Sequence, residues 1–109
     1  MSNQIAENTA KELETVEVEA LIEQYESLQR LKNNEDFKKV ILEGYLEKKV
    51  LESVSLLAVP AIKQRGQRPD VMEDLVSISN LKYYLQMIEQ LGSVAKEDMD
   101  DARFEEVEE

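Results

Sequence analysis

The amino-acid sequence predicts an all-α fold, an antiparallel helical hairpin with a third packed helix and flexible acidic termini. Apolar residues recur every three or four positions over most of the chain, which is the spacing of one face of an α-helix. Only three Gly and two Pro interrupt the 109 residues, and no segment alternates like a strand. Because aromatic residues make up 6% of the chain, the core must consist mainly of Leu, Ile and Val.

The first predicted helix covers residues 11–32 and follows a polar, flexible lead at residues 1–10. Asn33 ends this helix, and Asn34 can cap the next one, because short amide side chains accept hydrogen bonds from free backbone N–H groups. A connection this short predicts an antiparallel helical hairpin. The apolar stripe of the first helix comprises Leu13, Val16, Leu21, Tyr25, Leu28 and Leu31.

The second predicted helix covers residues 35–58. Val59 and Pro60 end it, because proline lacks a donor and restricts the residue before it. Its C-terminal half is apolar on more than one side, so we expect its own chain or a partner chain to bury it. Gly44 costs about 1 kcal/mol relative to alanine inside a helix, which predicts that another helix approaches closely there. The main stripe comprises Phe37, Val40, Ile41, Gly44, Tyr45, Leu51, Val54 and Ala58.

Proline at both ends predicts a loop over residues 60–69. Asp70 is the expected N-cap of a third helix at residues 70–91, with Glu73 as its capping-box partner. Gly92 is the expected C-terminal stop of that helix. Its apolar stripe comprises Val71, Leu75, Ile78, Leu81, Leu85, Ile88 and Leu91.

A single helical domain over residues 11–92 accounts for a chain of this length. Such a small core is marginal, so self-association that buries one helix face would add stability. Residues 93–109 form an acidic C-terminal tail, either as a frayed helix or as disordered chain. Acidic tails of this kind can engage a basic partner, or they can simply improve solubility.

The residue types that most enzymes use are missing, since the chain has no His and no Cys. A general base near neutral pH, a thiolate nucleophile and the common zinc ligands are therefore absent. The carboxylates fall on polar helix faces or in the tail, without converging in a pocket. Asp98, Asp100 and Asp101 lack the Gly and closing Glu of a calcium loop at the required spacing. We expect no enzyme activity, no catalytic residue, no metal site and no cofactor.

The net charge of −11 argues against direct binding to nucleic acid or to an anionic membrane, because either polyanion would be repelled. No apolar run approaches the ~20 residues that span a bilayer, and the start of the chain lacks the features of a signal peptide. The absence of cysteine fits a reducing compartment. These observations predict a cytoplasmic protein.

Two groups of residues are candidate contacts. Lys63, Arg65 and Arg68 form a cationic cluster in an otherwise negative chain. They could hold a carboxylate or phosphate, pair with the acidic tail of their own or a neighbouring subunit, or only solvate a loop. Tyr83 and Tyr84 point about 100° apart on a helix, so they cannot share the centre of one stripe. One of them is expected at a rim or in a contact surface.

Two segments carry a recognisable pattern, residues 28–45 (LQRLKNNEDFKKVILEGY) and residues 80–92 (NLKYYLQMIEQLG). The first contains two spaced leucines, asparagines, Asp-Phe-Lys and an Ile-Leu-x-Gly-Tyr. The second is a late helix that ends in Gly. Over about residues 20–95 the chain resembles a family of small helical proteins from tailed bacteriophages. The resemblance implies a viral origin and a loose link to particle assembly, without catalysis. It identifies no binding residues.

Three functional hypotheses follow. The first is a non-enzymatic interaction or structural protein, a homo-oligomeric phage assembly or virion accessory component whose partners are itself or another protein. It would work in the host cytoplasm or on the virion. The second is an acidic DNA mimic that inhibits a host nucleic-acid-binding or defence protein. The third is a module in which the cationic cluster holds a small anionic ligand at a subunit interface.

Overall fold

The computed structural model describes the backbone of residues 2–108 and the side chains of residues 16–102. All regular elements in that part of the chain are helical, which confirms the all-α prediction. We number the helices α1 to α4. They are α1 at Ser2–Lys32, α2 at residues 35–57, α3 at Pro60–Gln64 and α4 at Arg68–Glu108.

Helix α1 begins at Ser2, so it includes most of the segment that the sequence predicts to be a flexible lead. The side chain of Leu13 lies outside the described residues, as does that of Phe104 near the other end of the chain. Flexibility of the two termini therefore stays a prediction. At its C-terminal end α1 carries Arg30 and Lys32 in the last turn, where cations interact favourably with the helix dipole.

The connection from α1 to α2 has the predicted chemistry. The backbone N–H groups of Asn33 and Asn34 donate to Arg30 and Leu31 at 3.2 and 3.0 Å, which tightens the last turn of α1. Asn34 is extended, and its Oδ1 accepts from the Phe37 N–H at 2.9 Å. This confirms Asn34 as the N-cap of α2. The antiparallel arrangement of the hairpin stays a prediction.

Loss of the Asn34 cap should destabilise the protein. The Asn34→Ala variant leaves the Phe37 N–H without its side-chain acceptor, and caps of this type contribute about 1 kcal/mol. Thermal or urea unfolding followed by circular dichroism measures the loss. Asn33→Ala is the matched control, because Asn33 lies in the preceding turn, and it should change stability by less than half as much. Equal effects of the two substitutions would contradict the cap.

Helix α2 changes its hydrogen-bonding pattern along its length. Its first turn, Glu35–Phe37, and its last segment, Lys49–Leu57, are α-helical, whereas Lys38–Lys48 is a π-helix of 11 residues. The Lys49 N–H donates to the Gly44 carbonyl, five residues back. Because π-helices usually occur as single-turn bulges, this segment is unusually long. It contains no fully buried residue; Ile41 and Tyr45 of the predicted main stripe are half-buried, whereas Val40 is exposed.

Gly44 lies in the middle of the π-helix, and its expected role is wrong. A Cβ atom added there would lie 2.9 Å from the backbone oxygen of Lys39. Among the described residues, no atom of another helix lies within 4 Å of that position. The glycine therefore relieves crowding within its own π-helix.

Pro60 ends α2 as predicted, and Val59 before it is extended. The loop predicted over residues 60–69 is wrong at its start, because Pro60–Gln64 is a short helix. Gly66 ends α3 with a positive φ of 67°. Its N–H donates to Lys63 at 3.1 Å and that of Gln67 to Ile62 at 2.9 Å, which is the Schellman pattern of a helix C-terminus.

Helix α4 begins earlier and ends later than predicted. It starts at Arg68, so Asp70 lies inside the first turn and is not the N-cap. The Val71 N–H donates to the Gln67 carbonyl at 3.2 Å, so the hydrogen-bond pattern of the helix begins at the carbonyl of Gln67. Gly92 does not stop α4, which continues to Glu108 and is helical over residues 93–102.

The chain divides into two compact units. Unit 1 spans Met1–Leu28 and Met87–Glu109, and it includes parts of α1 and α4. Here a Cβ atom added to Gly92 would overlap the Cβ of Tyr25 and lie 2.9 Å from the backbone oxygen of Leu21. Gly92 is thus the point where these two helices approach closely, the role that the sequence predicted for Gly44.

A methyl group at Gly92 should destabilise unit 1. Alanine is normally better than glycine in a helix, but here it would meet Tyr25 Cβ and a backbone oxygen that cannot rotate away. Overpacking of this kind costs about 1–3 kcal/mol. We expect Gly92→Ala to lower the unfolding midpoint, measured by differential scanning calorimetry. Gln90→Ala is the control at an exposed position two residues earlier. A Gly92→Ala protein as stable as the wild type would refute the close approach.

Unit 2, Gln29–Gln86, contains α2, α3 and the adjoining parts of α1 and α4. Its buried apolar side chains are Val71 and Ile78 of α4, as the stripe predicts, and Ser53 of α2 is a buried polar residue. In unit 1 the buried apolar side chains are Leu28, Ile88 and Ala95. The interior of both units among residues 16–102 is therefore small.

Candidate interaction surface

The cationic cluster lies on three different local structures. Lys63 is in the last turn of α3, Arg65 is in the turn that follows, and Arg68 is the first residue of α4. The Schellman pattern around Gly66 fixes the path of the backbone between them. All three side chains are exposed, and none of them forms an ion pair with another described side chain.

Arg68 also has a local role that sequence reasoning missed. Its Nε donates to the Leu57 carbonyl oxygen at 3.2 Å. Leu57 is the last residue of α2, where backbone carbonyls lack partners within the helix. A cation there also interacts favourably with the negative end of the helix dipole. No sequence signal marks this contact, because it joins residues eleven positions apart across a short helix.

Removal of Arg68 should cost stability even if no ligand exists. We expect Arg68→Ala to lower the free energy of unfolding by about 0.5–1.5 kcal/mol, the usual net contribution of one intramolecular hydrogen bond, because solvent around this exposed bond weakens the effect of the charge. Urea denaturation measures it. Arg65→Ala removes the same charge from the same segment without that hydrogen bond, and should leave stability nearly unchanged. Identical curves for both variants would show that Arg68 does not cap α2.

Tyr83 and Tyr84 are both exposed on α4, at 63% and 54% of their full surface. The sequence predicts one of them at a rim or in a contact surface, and the structure covers neither with a neighbouring helix. By contrast Tyr25 and Tyr45 are half-buried. Two adjacent exposed tyrosines offer large apolar area with a polar tip, a combination enriched at protein interfaces.

The end of α2 also exposes apolar side chains. Leu51 is 69% exposed, Val54 and Leu56 are exposed as well, and so is Val59 just beyond the end of the helix. The sequence predicts that this half of the helix is buried by its own chain or by a partner chain. Within residues 16–102 its own chain leaves these four side chains uncovered.

A shallow polar hollow lies at the start of α2. Its volume is about 220 Å³, and its lining consists of three acidic residues and two lysines. Lys38 Nζ already lies 3.4 Å from Glu35 Oε1, and most of the lining is open to water. Because its ionic groups stay solvated, the hollow offers no desolvated acid or base for catalysis. The lining residues are Glu35, Asp36, Lys38, Lys39 and Glu43.

The described residues contain no group of three or more Asp and Glu side chains placed to hold a metal ion. Asp98, Asp100 and Asp101 are exposed on α4, in a helical backbone and not in a calcium loop. In the same part of the chain, no helix is both long enough and apolar enough to cross a membrane.

Comparison with protein-family models, with curated proteins and with solved structures finds no match to this chain in any of the three. The resemblance to small helical phage proteins therefore stays an expectation from the sequence. Any function must therefore be inferred from the surface of the protein, where apolar side chains are exposed.

Proposed function

We propose that this protein is a non-enzymatic structural or interaction protein that works as a homo-oligomer, in which residues 11–58 form an antiparallel helical hairpin. Its expected place is phage assembly or the virion, in the cytoplasm of the host cell. The observation that carries the proposal is the imbalance between buried and exposed apolar side chains within residues 16–102.

Five apolar residues in that part of the chain are buried, whereas thirteen large apolar residues are exposed by 39% or more. Isolated exposed apolar residues are normal on a monomer, whereas neighbouring ones mark an interaction surface. Leu51 and Val54 are three residues apart in α2 and are neighbours of the second kind. Full burial of one such side chain contributes about 1.5–3 kcal/mol. Because these side chains are already partly covered, each gains only part of that value on association, and several must be covered together to offset the entropic cost of binding.

The electrostatics of the chain support a protein partner. With a net charge of −11, nucleic acid and anionic lipid are repelled over most of the surface. The same charge opposes random aggregation, so the exposed apolar side chains are compatible with a soluble, specific oligomer. The cationic cluster provides a complementary surface for acidic residues of another subunit.

Self-association should be measurable with the purified full chain. We expect light scattering at micromolar concentration to give a discrete oligomer, and the thermal midpoint to rise with protein concentration, since a partner that binds only the folded chain stabilises it by mass action. Association through apolar surface should persist in 1 M NaCl, where surface ion pairs are screened. A monomer at all concentrations with a constant midpoint would overturn the proposal.

The role in phage assembly has a separate test. Affinity purification of the tagged chain from phage-infected cells should recover structural proteins of the particle. Recovery of a host nucleic-acid-binding protein that duplex DNA displaces would instead establish the DNA-mimic alternative.

A further inference from the structure

The C-terminal end of α2 joins an apolar surface to a cationic one, and both belong to unit 2. Leu51 and Val54, which are 69% and 52% exposed, lie about 60° apart on α2. Each points about 100° or more away from the buried Ser53. Residues 53–69 contain all three members of the cationic cluster and no Asp or Glu, although the chain has 24 acidic residues. This is the longest segment of the chain without an acid.

A hydrogen bond holds the cations beside the two exposed apolar residues. Arg68 Nε donates to the Leu57 carbonyl oxygen at 3.2 Å, at the end of α2. Leu57 lies three residues beyond Val54, which is about 4.5 Å along the helix axis. The Schellman pattern around Gly66 fixes the backbone between the three cations. We call Leu51, Val54 and the cationic cluster together the basic patch.

Unit 1 carries a surface of similar form and opposite charge. On α4, Leu91 and Val94 are 46% and 52% exposed, and three exposed acidic side chains follow them. At about 100° per residue, Leu91 and these acids all point within about 60° of Val94. We call this set the acidic patch. Its members are Leu91, Val94, Glu97, Asp98 and Asp101.

The acidic patch lies on the side of α4 that is not packed within unit 1. Ile88 and Ala95 are buried and point about 100° or more away from Val94. Lys96 is the one cation among residues 87–102, and it points about 160° away from Val94. Its Nζ lies 3.7 Å from Glu26 Oε1 of α1, in the same unit. No cation among residues 87–102 therefore lies on the acidic patch.

The two patches present their apolar and charged groups in the same order along their helices. In each patch two exposed apolar residues three positions apart come first, and the charges follow toward the C-terminal end. From Leu51 to the Leu57 carbonyl, which holds Arg68, the distance along α2 is about 9 Å. From Leu91 to Asp98 the distance along α4 is about 10 Å. When α2 of one copy and α4 of another run in the same direction, apolar residues therefore meet and cations face carboxylates.

We propose that the basic patch is a docking surface for the acidic patch of a second copy of this chain. The inference rests on the proposed homo-oligomer and names the two surfaces that meet in it. Each patch lies within one compact unit and the contact joins different copies, so it requires no particular arrangement of the two units within one chain. Because the two surfaces differ, the contact is heterologous, and the discrete oligomer expected above corresponds to a ring that such contacts close.

The apolar and charged groups have different roles in this contact. Burial of the exposed apolar side chains supplies affinity, since single exposed ion pairs contribute little. The charges select the pairing, because contact between two basic patches or two acidic patches places like charges together. Arginine also matches the geometry of a carboxylate, to which it can donate two parallel hydrogen bonds.

Charge reversal on each patch in turn tests the pairing. One variant carries Lys63→Glu and Arg65→Glu, which leaves the hydrogen bond of Arg68 in place. The other carries Asp98→Lys and Asp101→Lys. Each variant alone places like charges opposite each other and should weaken self-association at least about tenfold in analytical ultracentrifugation. An equimolar mixture of the two should restore association, because each reversed patch then meets a patch of opposite charge.

The matched control for the reversed basic patch carries Lys39→Glu and Lys82→Glu. It changes the net charge by the same amount, at exposed positions of unit 2 outside the basic patch, and should weaken association far less. The far-ultraviolet circular dichroism should not change in any variant, because every substituted side chain is exposed. A mixture of the two patch variants that stays dissociated would contradict the pairing, as would a control that associates as weakly as the reversed basic patch.

Three exposed valines provide a second, independent test of the apolar part of the contact. Val54 and Val94 are each 52% exposed, and Val76, outside both patches, is 49% exposed. Val54→Ser and Val94→Ser should each weaken self-association about threefold to tenfold, because each removes apolar area that the contact buries. Val76→Ser should leave association unchanged. Equal effects of all three substitutions would refute the assignment of the two patches.

The outcomes separate this inference from the proposed function. If the wild-type chain is an oligomer by light scattering and both charge-reversed variants assemble equally well, the interface lies elsewhere and the proposed function stands. A monomeric wild-type chain would overturn both.

Discussion

Burial of apolar surface is the main stabilising force open to this chain, because it has no cysteine for disulfides and, among its described residues, no cluster of metal ligands. Yet the described part buries only five apolar side chains, among them Leu28, Ile78 and Ile88. On α2 and α4 other apolar side chains, such as Ile41 and Leu75, are only half-buried, and several, such as Leu51 and Val76, are exposed. A core this small is marginal for a stable domain. Contacts between the subunits of the proposed oligomer would supply the missing stability.

Features set by a few neighbouring residues could be predicted from the sequence. Asn34 caps α2 and Pro60 ends it, because each effect depends on atoms within about four residues. The buried positions Val71, Ile78 and Ile88 were predictable from the helical period alone. Features set by distant residues were not predictable. The role of Gly92 depends on Tyr25 and Leu21, about 70 positions earlier in the chain, and nothing near Gly92 shows it.

The π-helix and the exposure of the candidate surface could not be predicted from the sequence, for different reasons. Apolar spacing of three and four residues fits an α-helix, and it does not reveal that Lys49 donates to Gly44 five residues back. Helical geometry predicts that Tyr83 or Tyr84 lies at a rim or in a contact surface, but the exposure of both side chains emerges only from the structure.

The contact at Gly92 has a consequence for how this chain can vary in evolution. The atoms that face it are the Cβ of Tyr25, which every residue except glycine possesses, and a main-chain oxygen, which every residue possesses. A replacement of Tyr25 by another amino acid other than glycine therefore leaves the obstruction in place. We expect related sequences to keep glycine at position 92 while the residue at position 25 varies. Conservation at position 92 would then occur without covariation at position 25.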